Sequence, residues 1–265
     1  MSRFYKYLES KNYSGKTFNS HWDSLRRFYD FINEIQKVKC DNPFKHFTRK
    51  KIVKQTNLSL TKEEFNSILD AVNKTSAYLT LGGKHKERKN MYRTYLIDGF
   101  KLFLLCGARR EEVVDLKWSD IFISTKGIMF FKIQNLKVTR NKKRETEKHI
   151  PINRDLQALL YELGYDNKKH TDEFVLYPER TESSHTIMNN LSKAFTHYRK
   201  NAGIEKNISL KNLRKTYITW LNQVLGKDTG IVSGHSTKEV INTYYIDPQI
   251  LSKIEESALE LKIFG

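Results

Sequence analysis

Residues 107–118 read GARREEVVDLKW. The segment before them, from about Tyr92 to Cys106, is strongly apolar and predicts a buried helix that stops at Gly107. Arg109 and Arg110 follow at once. Glu111 and Glu112 then lead a new amphipathic turn that carries Val113 and Leu116. An arginine at such a junction lies beside the core rather than out in solvent. A neighbouring carboxylate, Glu112 or Asp115, can hold it, with its planar fork aimed at a planar anion. Taken alone, the same spacing also describes a structural ion pair.

Downstream, GIMFFKI (127–133) and EKHIPI (147–152) are rich in β-branched and aromatic residues and are bounded by turn residues, so they predict strands. Between them, NLKVTRNKKRET is strongly cationic. The rest of the chain reads as helical. Met188, Leu191, Phe195 and Tyr198 form one apolar stripe, and Leu210, Leu213, Tyr217, Trp220 and Val224 form another. Ser209 is the expected N-cap of that second helix, which puts Lys211, Arg214 and Lys215 on one face of its first turn and a half. Cations there oppose the helix dipole by about 0.3–1 kcal/mol each, and a bound phosphate would reverse the sign. Further on, Ser236 and Glu239 form a capping box just after Gly234 and His235, and Tyr244 and Tyr245 follow. Asp247 and Pro248 then open a last helix.

Upstream, Thr61 and Glu64 make a capping box for a helix lined by Phe65, Ile68, Leu69 and Val72, with a polar loop, LGGKHKERKN, after it. Phe18, Trp22, Leu25, Tyr29 and Ile32 give a helical stripe that Asn42 and Pro43 end. The stretch TRKKIVKQTNLSL reads as a basic linker. The expected division is therefore a small helical domain over 1–48, a linker over 49–58 and a larger domain over 59–265. The fold class is mainly α with a small antiparallel β-sheet.

The chain has 265 residues, 38% of them hydrophobic, and a net charge of +17. The charge points to a polyanionic partner, nucleic acid first. Two distant cysteines, Cys40 and Cys106, imply no disulfide framework and fit a cytoplasmic setting. There is no Walker A loop, no GxGxxG, no metal-ligand spacing, and no apolar run of signal-peptide or membrane-spanning length. No cofactor or metal is expected.

Four stretches occur in order: GARREEVVDLKW, NLKVTRNKKRETEKHIPI, SLKNLRKTYIT and SGHSTKEVINTYY. Together they resemble the signature regions of the tyrosine recombinase (phage integrase) family over roughly residues 59–247, and YSGKTFNSHWDSLRRFYDFINEIQKV with NPF is similar to the latter half of that family's helical core-binding domain. The resemblance implies a site-specific DNA recombinase that works through a 3′-phosphotyrosyl intermediate without ATP or metal. It matches Arg109 and Arg214 to the two catalytic arginines, Lys137 to the hairpin lysine, and His235 to the histidine of Gly-His. Tyr244, nine residues after His235, is the nucleophile at the family's spacing, with Tyr245 in reserve. Lys211 stands where the family usually has a histidine. A lysine there can contact a phosphate but does not readily shuttle a proton near neutral pH. Arg49, Lys50, Lys51 and Lys54 on the linker, and Arg140, Lys142, Lys143 and Arg144 on the hairpin, are expected DNA phosphate contacts. The implied partner is double-stranded DNA, bound by a nucleoid-associated monomer that assembles into a homotetramer on paired sites. Alternatives are a DNA-binding protein of this fold without cleavage, a type IB topoisomerase-like nicking-closing enzyme, and an RNA-binding module.

Overall fold

A computed structural model describes residues 2–45, 48–52, 58–80, 87–125, 127–134 and 147–225. It divides into two compact units, Met1–Thr56 and Asn57–Gly265.

In the first unit, helix α1 spans Ser2–Ser10 and α2 spans Gly15–Glu34. The hydroxyl of Ser14 accepts from the Thr17 amide and starts α2. A small core gathers Leu8, Phe18, Trp22 and Phe44. The Asn42 side chain accepts from the Phe44 amide at 2.9 Å, and the Trp22 indole donates to the Phe44 carbonyl at 3.3 Å. Helix α2 stops at Glu34, ahead of the break expected at Asn42-Pro43, and this turn brings Phe44 back against it. Residues 49–52 return along α2. Asn19 clamps Lys50 from both sides, donating to its carbonyl and accepting from its amide, each at 2.9 Å. Gly15 permits the close approach, because a Cβ there would lie 2.4 Å from the Lys51 carbonyl oxygen.

The second unit is mainly helical with small antiparallel sheets. Helix α3 is Lys62–Asp70, and its Thr61–Glu64 capping box is formed on both sides, at 3.2 Å and 2.9 Å. The polar stretch after it was expected to be a loop. Arg88–Asn90 (β2) instead pairs antiparallel with Tyr78–Thr80 (β1). All six residues are exposed, so no apolar alternation announces the ribbon. Arg88 lies over the Tyr78 ring at 4.9 Å.

Helix α4, Leu96–Cys106, is buried on nearly every side and forms the centre of the unit. The short α5 is Arg110–Val114, and a 3₁₀ turn over Trp118–Asp120 leads into strand β3, Ile121–Ile123. Strands β4 (Met129–Gln134) and β5 (Glu147–Pro151) complete a three-stranded sheet in the order β3-β4-β5. The two strands read from the sequence are β4 and β5, with Phe131 opposite Ile150 and Ile133 opposite Lys148. Helices α6 (Arg154–Glu162), α7 (Tyr165–Lys168), α8 (Ser184–Asn201) and α9 (Asn212–Leu225) follow. The expected stripe of α8 is buried: Met188, Leu191, Phe195 and Tyr198 all face the core.

Helix α9 begins later than expected. Ser209 does not cap it. Instead the Asn212 side-chain oxygen accepts from the Ser209 amide at 3.1 Å and its hydroxyl at 2.9 Å, closing a turn over 209–212. Lys211 lies in that turn, exposed, ahead of the helix. Once the helix runs, Thr216 accepts from the Leu60 amide and the Trp220 indole donates to the Leu60 carbonyl, which ties the entry segment of this unit to α9.

Among the described residues, no helix is long and apolar enough to cross a membrane.

Acid should destabilise the fold in two stages. Burial drags the His149 pKa below its usual 6.5, with Lys132 adding to the effect and Glu147 opposing it. The unfolded chain therefore binds the proton more readily, and stability falls as pH drops below about 6.5. Glu112 is the opposite kind of group. Burial alone would raise its pKa, but Lys148 and the Arg109 hydrogen bonds outweigh that and hold it below 4.5. Its contribution is intact above about 4.5 and is lost as pH falls through the folded value. Thermal melting between pH 3 and 8 should show both stages, and His149→Gln should flatten only the first.

Candidate active site

The site is built where α4 ends. Gly107 takes the left-handed conformation, φ +55°, and closes α4. Its position is enforced twice over, because a Cβ there would lie 2.1 Å from Cδ1 of Tyr217, a buried ring of α9. Gly107→Ala combines a positive-φ penalty with overpacking, each roughly 1–3 kcal/mol. The expected loss is about 2–6 kcal/mol, readable as a lowered urea midpoint at unchanged slope.

The turn at Gly107 delivers Arg109 to the N-terminus of α5. Glu112, one turn on, accepts from the Arg109 amide through Oε2 at 2.8 Å and from Arg109 Nη1 through Oε1 at 2.9 Å. Of the two carboxylates considered from the sequence, Glu112 therefore takes the arginine. Asp115 turns the other way, towards Arg180 at 3.5 Å and the Ser184 hydroxyl. Arg180 also donates to the Val114 carbonyl at the end of α5, with its guanidinium 3.1 Å from the Phe174 ring centroid.

Arg214 comes from the first turn of α9. Its Nη1 donates to the Gly107 carbonyl at 2.6 Å, so the same residue that aims Arg109 also anchors Arg214. Burial lowers the Arg214 pKa, Arg109's charge lowers it further, and Glu112 opposes both. Arg109, Arg110, Glu111, Lys211 and Arg214 line one cavity of about 250 Å³, floored by Phe103, Ala108 and Leu210. Residues about a hundred positions apart in sequence thus converge on one recess. Arg110 had no assigned role in the sequence reading, and here it lines the recess while donating to Ser192 Oγ at 3.2 Å.

Lys148 was also missed. Its ammonium reaches Glu112 Oε2 at 2.5 Å from strand β5. A signal was present: in EKHIPI the two-residue period places Lys148 on the face of Ile150 and Ile152, which are both buried. A lysine on the inward face of a strand implies a partner.

In the first unit, Arg49 pairs with Asp23 at 2.9 Å, Lys50 pairs with Glu9 at 3.3 Å over the Phe18 ring, and Lys51 is exposed. Arg49 also joins Lys16 and Arg27 around a surface recess of about 280 Å³ on α2. Tyr244, Tyr245, His235, Lys137, Lys54, Arg140, Lys142, Lys143 and Arg144 lie outside the described residues.

The sequence profile of the Phage integrase family matches residues 59–249. The chain belongs to the phage integrase family. The match spans the stretches that supply Arg109, Lys148 and Arg214. Solved structures of similar fold include a lambda integrase tetramer bound to a Holliday junction, at TM-score 0.61 and 16% identity, covering 94% of this chain and 66% of that one. The XerH site-specific recombinase in a post-cleavage complex with palindromic difH aligns at TM-score 0.56 and 17% identity, covering 95% and 70%. An integrase from mycobacterium phage Brujita aligns at TM-score 0.52 and 14% identity, covering 100% and 78%. At these identities the likeness establishes the fold. No sequence among the curated proteins matches the chain. As a member of this family it is a recombinase of the integrase type, mainly α with a small antiparallel sheet.

Proposed function

We propose that this chain cuts and rejoins double-stranded DNA at specific sites through a 3′-phosphotyrosyl intermediate, with the scissile phosphate seated in the recess of Arg109 and Arg214. The observation that carries the reading is the joining of those two guanidiniums, from stretches about a hundred residues apart, around one cavity beside a buried carboxylate. Glu112 orients Arg109, and the Gly107 carbonyl orients Arg214, before any substrate arrives. Preorganised forks of this kind stabilise the charge that gathers on the non-bridging oxygens in the transition state.

The chemistry then divides as follows. The phenol oxygen of Tyr244 attacks phosphorus and the bond to the 5′-oxygen breaks. The phenol's proton passes to the site, with His235 as the acceptor, and Lys137 protonates the departing 5′-oxygen. The new phosphotyrosyl bond keeps the energy of the old one, so religation needs no nucleotide. Lys211, exposed at the rim, contacts the phosphate and moves no proton.

DNA is held by phosphate contacts from Arg49, Lys50, Lys51 and Lys54 and from Arg140, Lys142, Lys143 and Arg144, with Arg110 added at the rim of the recess. The protein is a monomer in solution and assembles into a homotetramer on paired sites, as lambda integrase does on a Holliday junction. The first unit, Met1–Thr56, acts as a DNA clamp and the second, Asn57–Gly265, as the catalytic portion.

The test uses duplexes nicked beside each candidate position, drawn from the DNA that flanks the gene. An active recombinase accumulates a protein–DNA complex that survives denaturant. Tight binding to such duplexes with no covalent complex would replace this reading by a DNA-binding protein of the same fold.

A further inference from the structure

We propose that Lys148 is a positioning residue of the cleavage site: it draws on the Glu112 carboxylate from the strand side and so sets how firmly that carboxylate holds Arg109. The inference rests on the reading of the recess as a phosphate site.

Glu112 is almost wholly buried, with 2% of its side chain exposed, and Lys148 is 17% exposed. Oε2 serves two donors, the Lys148 ammonium at 2.5 Å and the Arg109 amide at 2.8 Å, while Oε1 serves Arg109 Nη1 at 2.9 Å. A buried carboxylate facing one arginine would form a closed pair, and its charge would cancel the fork that a phosphate has to meet. Lys148 takes up one oxygen of Glu112. Among the described residues, Arg109, Lys148 and Arg214 lie around Glu112, so its charge is shared among several cations and does not close on Arg109 alone. As the phenol oxygen attacks, negative charge moves from it onto the non-bridging oxygens in the recess, so a fork that Glu112 holds in place but does not cancel favours cleavage over mere binding.

The groups that face Lys148 come from each element packed on it. They are Glu112 and Arg109 at α5, Arg214 from α9 and Cys106 at the end of α4. Beside it along the sheet stand Glu147, His149 and, on β4, Lys132. Burial lowers the Lys148 pKa, Glu112 raises it, and the two arginines lower it further. The Cys106 thiol, pushed up to about 12 by burial, stays neutral and competes for no proton. Without Lys148, Glu112 loses the strongest of the influences that keep it ionised. It would then protonate at higher pH: above that pH Glu112 closes on Arg109 alone, and below it Arg109 is released.

The experiment compares wild type, Lys148→Met, Lys148→Arg, Glu112→Gln and the double variant Glu112→Gln/Lys148→Met, all in the full chain. The double variant removes both charges of the pair, so it stays readable should Lys148→Met fail to fold. The first readout is inorganic phosphate, titrated against the melting temperature. Lys148→Met should need several-fold more phosphate for the same rise, and Lys148→Arg should match wild type. The second is single-turnover formation of the covalent complex on a nicked duplex across pH. Lys148→Met should slow it roughly 10–100-fold with duplex affinity within about twofold, and its acid limb should move to higher pH. Lys148→Arg should keep the wild-type limb. In the Glu112→Gln background, Lys148→Met should add less than about threefold. A wild-type rate in Lys148→Met, slowing with no movement of the limb, or additive losses in the double variant would each overturn the proposal. Should wild type form no covalent complex while the phosphate series behaves as described, cleavage falls and the role of Lys148 stands. Should wild type cleave with all Lys148 variants unaltered, only the role of Lys148 falls.

Discussion

Tyr244→Phe should leave no denaturant-resistant complex on a nicked duplex, while Tyr245→Phe should form it at close to the wild-type level. A phenol has a pKa of about 10 and attacks phosphorus poorly at neutral pH unless cations stabilise its phenolate. Only a hydroxyl that reaches the recess of Arg109 and Arg214 receives that help. Phenylalanine keeps the ring and removes the oxygen proposed to bond phosphorus, so no slower route should survive. Noncovalent duplex affinity should stay within about twofold, since binding rests on the cations. Labelled duplex run on a denaturing gel separates the two tyrosines directly. Loss of the complex in Tyr245→Phe with retention in Tyr244→Phe would transfer the role to Tyr245.

Arg214→Gln should reduce the cleavage rate by about 10²–10³-fold, in line with the roughly 3–4 kcal/mol lost elsewhere when one donor to a developing oxyanion is removed. Two effects combine. A charged fork is lost, and the Gly107 carbonyl loses the donor that reaches it at 2.6 Å. Glutamine can replace part of the second but none of the first. Arg214→Lys should recover little, because a point charge reproduces neither the anchor nor the bidentate grip. The melting temperature should change modestly, which distinguishes this loss from the folding defect of Gly107→Ala. Single-turnover rates at saturating duplex provide the check, and a fall confined to duplex affinity would place Arg214 in binding alone.

The sequence carried the site better than it carried the boundaries around it. Gly107 and Arg109 were legible because a buried helix stops at glycine and continues at once into charge, and Arg214 because cations crowd the start of a helix, where they oppose its dipole. The family resemblance then paired Arg109 with Arg214 across the chain. The choice between Glu112 and Asp115 was not legible, since both lie one to two turns from Arg109 and only the path of Arg180 decides between them. The start of α9 was misplaced because Ser209 is a good cap residue by type, and nothing local shows that Asn212 will bond back to it. The β1-β2 ribbon escaped because its residues are exposed on both faces and leave no periodic trace.

Gly107 has a consequence for anyone recombining parts of this enzyme with those of its relatives. Its carbonyl meets Arg214, and its missing Cβ makes room for Tyr217. Residues 107–118 and 209–220 therefore fit together as one joint made of two distant pieces. A chimaera that imports either piece alone carries a mismatched joint into the recess of Arg109 and Arg214, whereas transplanting both together preserves the fit.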